Sequence, residues 1–148
     1  MKAVIQRVSR AEVRAGQEIV GRIGAGLLVL VAFEVDDRDA DLDWLADRVL
    51  QMRIFADSAG KMNLSALDVG AEILVVSQFT LAGDLGRGRR PGFERAAPPE
   101  AARARYDALV ERLSRGPLRV ATGRFRAFME VELVNDGPVT FVLEGRPR

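Results

Sequence analysis

Seven consecutive apolar residues, Leu27-Leu28-Val29-Leu30-Val31-Ala32-Phe33, constrain the fold of this 148-residue chain more than any other feature. A strand with one wet face alternates apolar and polar positions, whereas a strand apolar throughout is covered on both faces. The run is far too short to cross a bilayer as a helix. A second run of the same kind, Ile73-Leu74-Val75-Val76, sits inside Glu72–Phe79. Leu42, Leu45, Val49 and Met52 mark a helix over Asp39–Arg53, with Asp39 and Asp41 at its electropositive start. Pro98-Pro99-Glu100 opens a second helix, with an apolar stripe of Tyr106, Leu109, Val110 and Leu113.

The other segments read as strands and turns. Residues 2–8 form a first strand, and Gly16-Gln17 separates Glu12–Ala15 from Glu18–Gly21 as a hairpin. Asp57-Ser58-Ala59-Gly60 is a turn, and residues 82–98, rich in Gly, Arg and Pro, form a long loop. Near the end, Glu130–Val134 and Pro138–Leu143 pair as a hairpin across Asn135-Asp136-Gly137. The expectation is a single α/β domain with a mixed, strand-rich sheet under two main helices. Long buried strands beside so few helices point to a second subunit covering part of the sheet.

The chain has no cysteine and no histidine. That excludes disulfides, thiolate nucleophiles, Cys/His zinc sites and a Ser-His-Asp triad. Any hydrolytic chemistry rests on hydroxyls, backbone groups, carboxylates or the substrate itself; no metal ligand cluster and no cofactor motif is evident. Net charge is +1, but residues 1–76 sum to −3 and residues 77–148 to +4, which allows a local basic patch. The opening Met1–Gln6 lacks a signal-peptide hydrophobic region, so a cytoplasmic protein is expected.

Three segments carry candidate chemistry. Ser77-Gln78-Phe79-Thr80-Leu81 breaks the apolar pattern at the C-terminal end of a buried strand, where α/β sheets place ligands. The alternative is a strand fraying into a loop, with Ser and Thr bonding local backbone. Thr80 lacks a histidine base, so it suits positioning a group better than nucleophilic attack. Asn135–Thr140 reads as a plain trans turn or, with a cis Gly137–Pro138 bond, as a rigid display of backbone groups. Arg87-Gly88-Arg89-Arg90-Pro91-Gly92-Phe93-Glu94-Arg95 reads as a solvated charged loop or as a phosphate-tracking segment with a stacking aromatic. The tail Arg146-Pro147-Arg148 adds to that surface or is disordered.

With Ser77–Leu81 and Asn135–Thr140 both in place, the chain resembles the D-aminoacyl-tRNA deacylases, homodimeric proofreading enzymes. The likeness spans nearly the full length and includes Ala3–Val8, Arg53-Ile54-Phe55, Lys61–Ser65, Gly88–Pro91, Ala97–Glu100 and Thr122–Phe125. The resemblance implies an active site at the subunit interface. Ser77, Gln78, Phe79 and Thr80 of one copy then line the pocket for the aminoacyl ester at the tRNA 3′ end. Gly137 and Pro138, joined by a cis bond, reach in from the other copy and exclude L side chains. It places Met129 and Phe125 near the terminal adenosine and Arg7 behind the Gly-Pro loop, while the phosphate-tracking reading of the 87–95 loop puts Arg87, Arg89 and Arg90 on the RNA. Gly92, Arg126 and Glu130 depart from the Ser, Gly and Gln common in the family.

The chemistry so implied suits the composition. An aminoacyl ester has a neighbouring ribose 2′-hydroxyl to assist attack, so the protein need mainly hold geometry and stabilise an oxyanion. A backbone gauge that rejects an L-side Cβ cannot reject glycine, which makes glycyl-tRNA a second substrate class. Two rival readings are an RNA-binding module without catalysis and a hydrolase of small D-amino-acid esters with no tRNA requirement.

Overall fold

The computed structural model describes residues 1–145. The tail at 146–148 lies outside the described residues. In chain order the elements are β1 (Lys2–Ala15), β2 (Glu18–Ile23), β3 (Gly26–Ala32), α1 (Asp39–Gln51), β4 (Phe55–Ala56), β5 (Met62–Leu64), α2 (Ala66–Val69) and β6 (Glu72–Ser77). A 3₁₀ turn (Phe79–Ala82), α3 (Pro99–Ser114), β7 (Val120–Thr122) and β8 (Glu130–Glu144) follow.

The two apolar runs lie side by side. β3 and β6 pair in parallel from Gly26↔Glu72 to Val31↔Ser77, between β1 on one side and β7 on the other. The crossovers β3–α1–β6 and β6–α3–β7 bring both helices onto one face. There Leu27, Val29, Val31, Ile73 and Val75 meet Leu42, Leu45 and Val49 of α1 and Tyr106, Leu109 and Leu113 of α3. The alternate positions Leu28, Leu74 and Val76 face the other way, into a second cluster with Val8, Ala11, Val13 and Ile23.

That second cluster gives the apolar runs cover on their other face within one chain. β1 is twice as long as residues 2–8 alone. Its first half pairs with β3 and its second half with β2, which folds back against β6 and β7. The curled sheet thus covers its own inner face within one chain. Close approach at the start of the parallel pair requires Gly26, because a Cβ there would lie 1.8 Å from the Glu72 carbonyl oxygen.

The end of the chain also differs from expectation. Residues 130–134 and 138–143 do not pair with each other; both halves of β8 pair antiparallel with β1. Gln6 faces Thr140 and Val8 faces Asn135, so Asp136–Val139 bulge out opposite the single residue Arg7. Asn-Asp-Gly is a hairpin signal, but β1 is long enough to hold both halves in one ladder, and the turn residues serve a bulge instead. The Gly137–Pro138 bond in it is cis. β4 and β5 form a small separate hairpin around the Asp57–Gly60 turn, and Ser65 and Asp68 cap α2 reciprocally.

Candidate active-site groove

β6 ends at Ser77, and the chain turns at once into the 3₁₀ turn that carries Phe79 and Thr80. The Gln78 amide donates to the Val31 carbonyl, fixing this exit to the neighbouring strand. The next amides, of Phe79 and Thr80, make no hydrogen bond among the described residues, as expected for the first N–H groups of a helical turn. Gln78 Nε2 donates to Thr80 Oγ1 at 2.5 Å.

These residues border a groove of about 630 Å³. Ser77, Gln78 and Phe79 form its floor, with Phe33 and Val76 behind them. One wall comes from Phe93, Ala96 to Pro99 and Ala102 at the entry to α3; the other is Phe125 to Met129 with Val131. The first wall is stitched to the end of β3, Ala97 N–H to Phe33 O at 2.9 Å and Val35 N–H to Arg95 O at 3.0 Å. Phe79 and Phe93 meet across the floor with ring centroids 5.2 Å apart. Phe128 is 99% exposed on the opposite lip.

The structure therefore brings together Ser77, Gln78, Phe79, Phe125 and Met129, with Thr80 exposed beside them. Glu130 does not line the groove, whereas Arg126 does. The wall residues Ala96 to Pro99 and Ala127–Phe128 carried no chemical signal in the sequence; the fold alone assembles them. Tyr106 lies behind the groove, its hydroxyl donating to the Val75 carbonyl at 2.8 Å. Burial, reinforced by Asp107, pushes its phenol up to about 12, so it stays protonated at neutral pH and is no general base.

Gly137 and Pro138 stand elsewhere. Arg7 Nε donates to the Asp136 carbonyl at 3.0 Å and pairs with the Asp136 carboxylate at 3.2 Å, while its Nη1 donates to the Ile54 carbonyl at 2.6 Å. Arg7 thus ties the bulge to the segment before β4. Arg7 is level with Leu27, and Leu27 with Ile73, four residues before Ser77. At about 3.3 Å per residue and 4.8 Å per strand, the bulge lies roughly 13 Å along and 14 Å across the sheet from Ser77. Within one chain the two motifs do not meet.

The Arg87–Arg90 tip projects from the first wall, closed at its base by paired hydrogen bonds between Asp84 and Gly92. Arg87, Arg89 and Arg90 are exposed and make no ion pair among the described residues. Among those residues no group of three His, Cys, Asp or Glu side chains is placed to hold a metal.

Comparison with known proteins agrees with this architecture. A structure titled "c-Myc DNA Unwinding Element Binding Protein" superimposes with a TM-score of 0.94 at 40% identity, covering 99% of this chain and 100% of that one. Another, described as a probable eukaryotic D-amino acid tRNA deacylase, shares the fold with a TM-score of 0.81 at 18% identity, covering 96% and 97%. The D-aminoacyl-tRNA deacylase of Anaeromyxobacter dehalogenans is 58% identical over 99% of this chain and 98% of its own length. That of Thermotoga petrophila is 55% identical over 97% of each. The family model described as D-Tyr-tRNA(Tyr) deacylase matches residues 4–144. The chain belongs to that deacylase family.

Proposed function

We propose that this protein hydrolyses the ester joining a D-amino acid to the 3′-terminal ribose of tRNA, releasing the free amino acid and the tRNA. The observation that carries the reading is the polar makeup of the groove floor. Among the described lining residues the polar side chains are Ser77, Gln78 and Arg126; Phe79 adds a backbone N–H with no hydrogen bond among the described residues, and the N–H of Thr80 lies beside the floor. Such a site has hydrogen-bond donors for an oxyanion but no titratable general base. It suits an activated ester whose own 2′-hydroxyl assists the attack. The reading asks for no metal and no cofactor.

In this reading Ser77, Gln78, Phe79 and Thr80 hold the ester, Phe125 and Met129 border the adenosine, and Gly137 and Pro138 come from a second copy as the chiral gauge. The distance between the two motifs within one chain supports that division. So does β8: its outer edge has no partner strand among the described residues, and Val134, Phe141 and Val142 are exposed on it, around the Gly-Pro bulge. A long apolar edge of this kind is suited to pairing with another copy. No helix among the described residues is long and apolar enough to cross a membrane, and the reading puts the protein with its tRNA substrate in the cytoplasm.

The test is single-turnover deacylation of one tRNA charged with the D-amino acid, the L-amino acid or glycine. The D and glycyl esters should be cleaved and the L ester spared. Tight tRNA binding without any cleavage would leave a nucleic-acid-binding module instead. Equal rates on a small D-amino-acid ester would remove the tRNA requirement. For the basic tip, Arg89→Ala/Arg90→Ala should weaken tRNA binding and lower the slope of log K against log salt by up to about 1.4, two single-strand phosphate contacts. Turnover at saturating tRNA should change little. An unchanged slope would place the tip away from the RNA.

A further inference from the structure

Arg126 is the one charged side chain among the described residues that line the groove. It makes no ion pair or hydrogen bond among the described residues, although most described arginines are paired with a carboxylate or a carbonyl. Its backbone is also unusual: at φ 61° it is the one described residue other than glycine in the left-handed region, which L residues rarely adopt. Strain of this kind persists where a local arrangement serves a site. An unpaired cation at the mouth of an otherwise neutral groove calls for an anion.

The chemistry of the substrate leaves one candidate. In an aminoacyl ester the amino-acid carboxylate has become neutral, and the α-ammonium would be repelled by a guanidinium. The ribose and adenine are uncharged. The remaining anions are the phosphodiesters of the RNA strand. Arg126 is followed by the fully exposed Phe128, and the unpaired arginines of the 87–90 tip extend from the opposite wall.

We propose that Arg126 grips the phosphodiester immediately preceding the terminal nucleoside, an inference that rests on the tRNA-ester reading above. A planar, permanently charged fork suits a phosphate better than a lysine point charge, but either sign-matched group retains part of the effect. Arg126 thereby makes binding sensitive to a linked nucleotide rather than to adenosine alone.

The experiment is calorimetric titration of the dinucleotide CpA and of adenosine into wild-type protein, Arg126→Gly and Arg126→Lys at low salt, beside deacylation assays. Wild type should prefer CpA by about tenfold, Arg126→Gly should lose that preference, and Arg126→Lys should keep part of it. Because glycine adopts φ 61° freely, Arg126→Gly should stay folded, checked by thermal melting. For full tRNA its salt slope should fall by about 0.7. An undiminished CpA preference in Arg126→Gly would overturn the proposal. So would equal weakening toward CpA and adenosine, which would make Arg126 a shaper of the loop. If wild type cleaves no D-aminoacyl-tRNA yet its CpA preference depends on Arg126, the tRNA-ester reading falls and the phosphate grip stands.

Discussion

Gly137→Ala is expected to lower kcat/KM on D-aminoacyl-tRNA by about a hundredfold or more while leaving the protein folded. A Cβ at position 137 would stand 2.2 Å from the Val139 amide nitrogen and 2.9 Å from Asn135 Nδ2. The nearer obstacle is backbone, so no rotamer change relieves it; the bulge itself must shift. Arg7 pins the bulge at Asp136, so the displacement falls on 137–139, the part proposed to face the substrate. A misplacement of about 1 Å in a positioning element is enough for a loss of this size. Stability should suffer far less, because Gly137 and Pro138 are exposed and both flanking halves of β8 remain paired with β1.

The same variant tests whether the site is shared. Gln78→Ala damages the groove floor, and Gly137→Ala the loop. In a symmetric dimer with shared sites, a mixed dimer has one site in which both motifs are wild type. Random mixing of two inactive variants should therefore restore about a quarter of wild-type activity. No recovery after confirmed subunit exchange would mean that each chain builds its own site. A fully active monomer by sedimentation would say the same.

How far the sequence alone reveals this molecule depends on whether a signal is local. The runs at 27–33 and 73–76 are legible as strands buried on both faces because every residue in them is apolar, and they prove to be neighbours. Asp39 and Pro99 mark helix starts by electrostatics and by proline's fixed φ. The hairpin at Gly16 is legible because a left-handed glycine (φ 63°) sits between alternating segments. The Asn135-Asp136-Gly137 turn misleads for the same reason: its residues favour a reversal, and only the distant length of β1 decides that the strand continues. The source of cover for β3 is equally non-local, since it depends on how β1 bends.

The site divides along the same line. Ser77–Thr80 stands out because polar residues end an apolar strand, and Arg7 finds its role at the bulge it faces. The walls at Ala96–Pro99 and Ala127–Phe128 are small or apolar residues like any others until β3 and α3 bring them together. The isolation of Arg126 among the described residues has no local signal, because it depends on which carboxylates and carbonyls the fold brings near it.

Replacing the 2′-hydroxyl of the terminal ribose with hydrogen is expected to slow single-turnover hydrolysis by about a hundredfold to a thousandfold, beyond its effect on spontaneous hydrolysis. Thr80→Ala should slow it by less than about tenfold. The argument is one of available bases. A threonine hydroxyl attacks only when something removes its proton. No Asp, Glu, Lys or Tyr side chain is among the described residues lining the groove, and Tyr106 is held protonated behind the wall. The Gln78 side-chain amide donates to Thr80 Oγ1, so it cannot take the hydroxyl proton. What remains is the Phe79 N–H on the groove floor with that of Thr80 beside it, and in the proposed reading they meet an ester with its own neighbouring hydroxyl. Donors stabilise the developing oxyanion by a few kcal/mol, and the substrate's hydroxyl supplies the proton relay that the side chains lack. The two substitutions therefore separate the mechanisms. If Thr80→Ala is the more damaging, and an acyl group on Thr80 is trapped by mass spectrometry, the hydroxyl of the protein is the nucleophile. If the 2′-deoxy ester is the poorer substrate and no acyl-enzyme forms, the RNA carries the chemistry and the protein supplies its geometry.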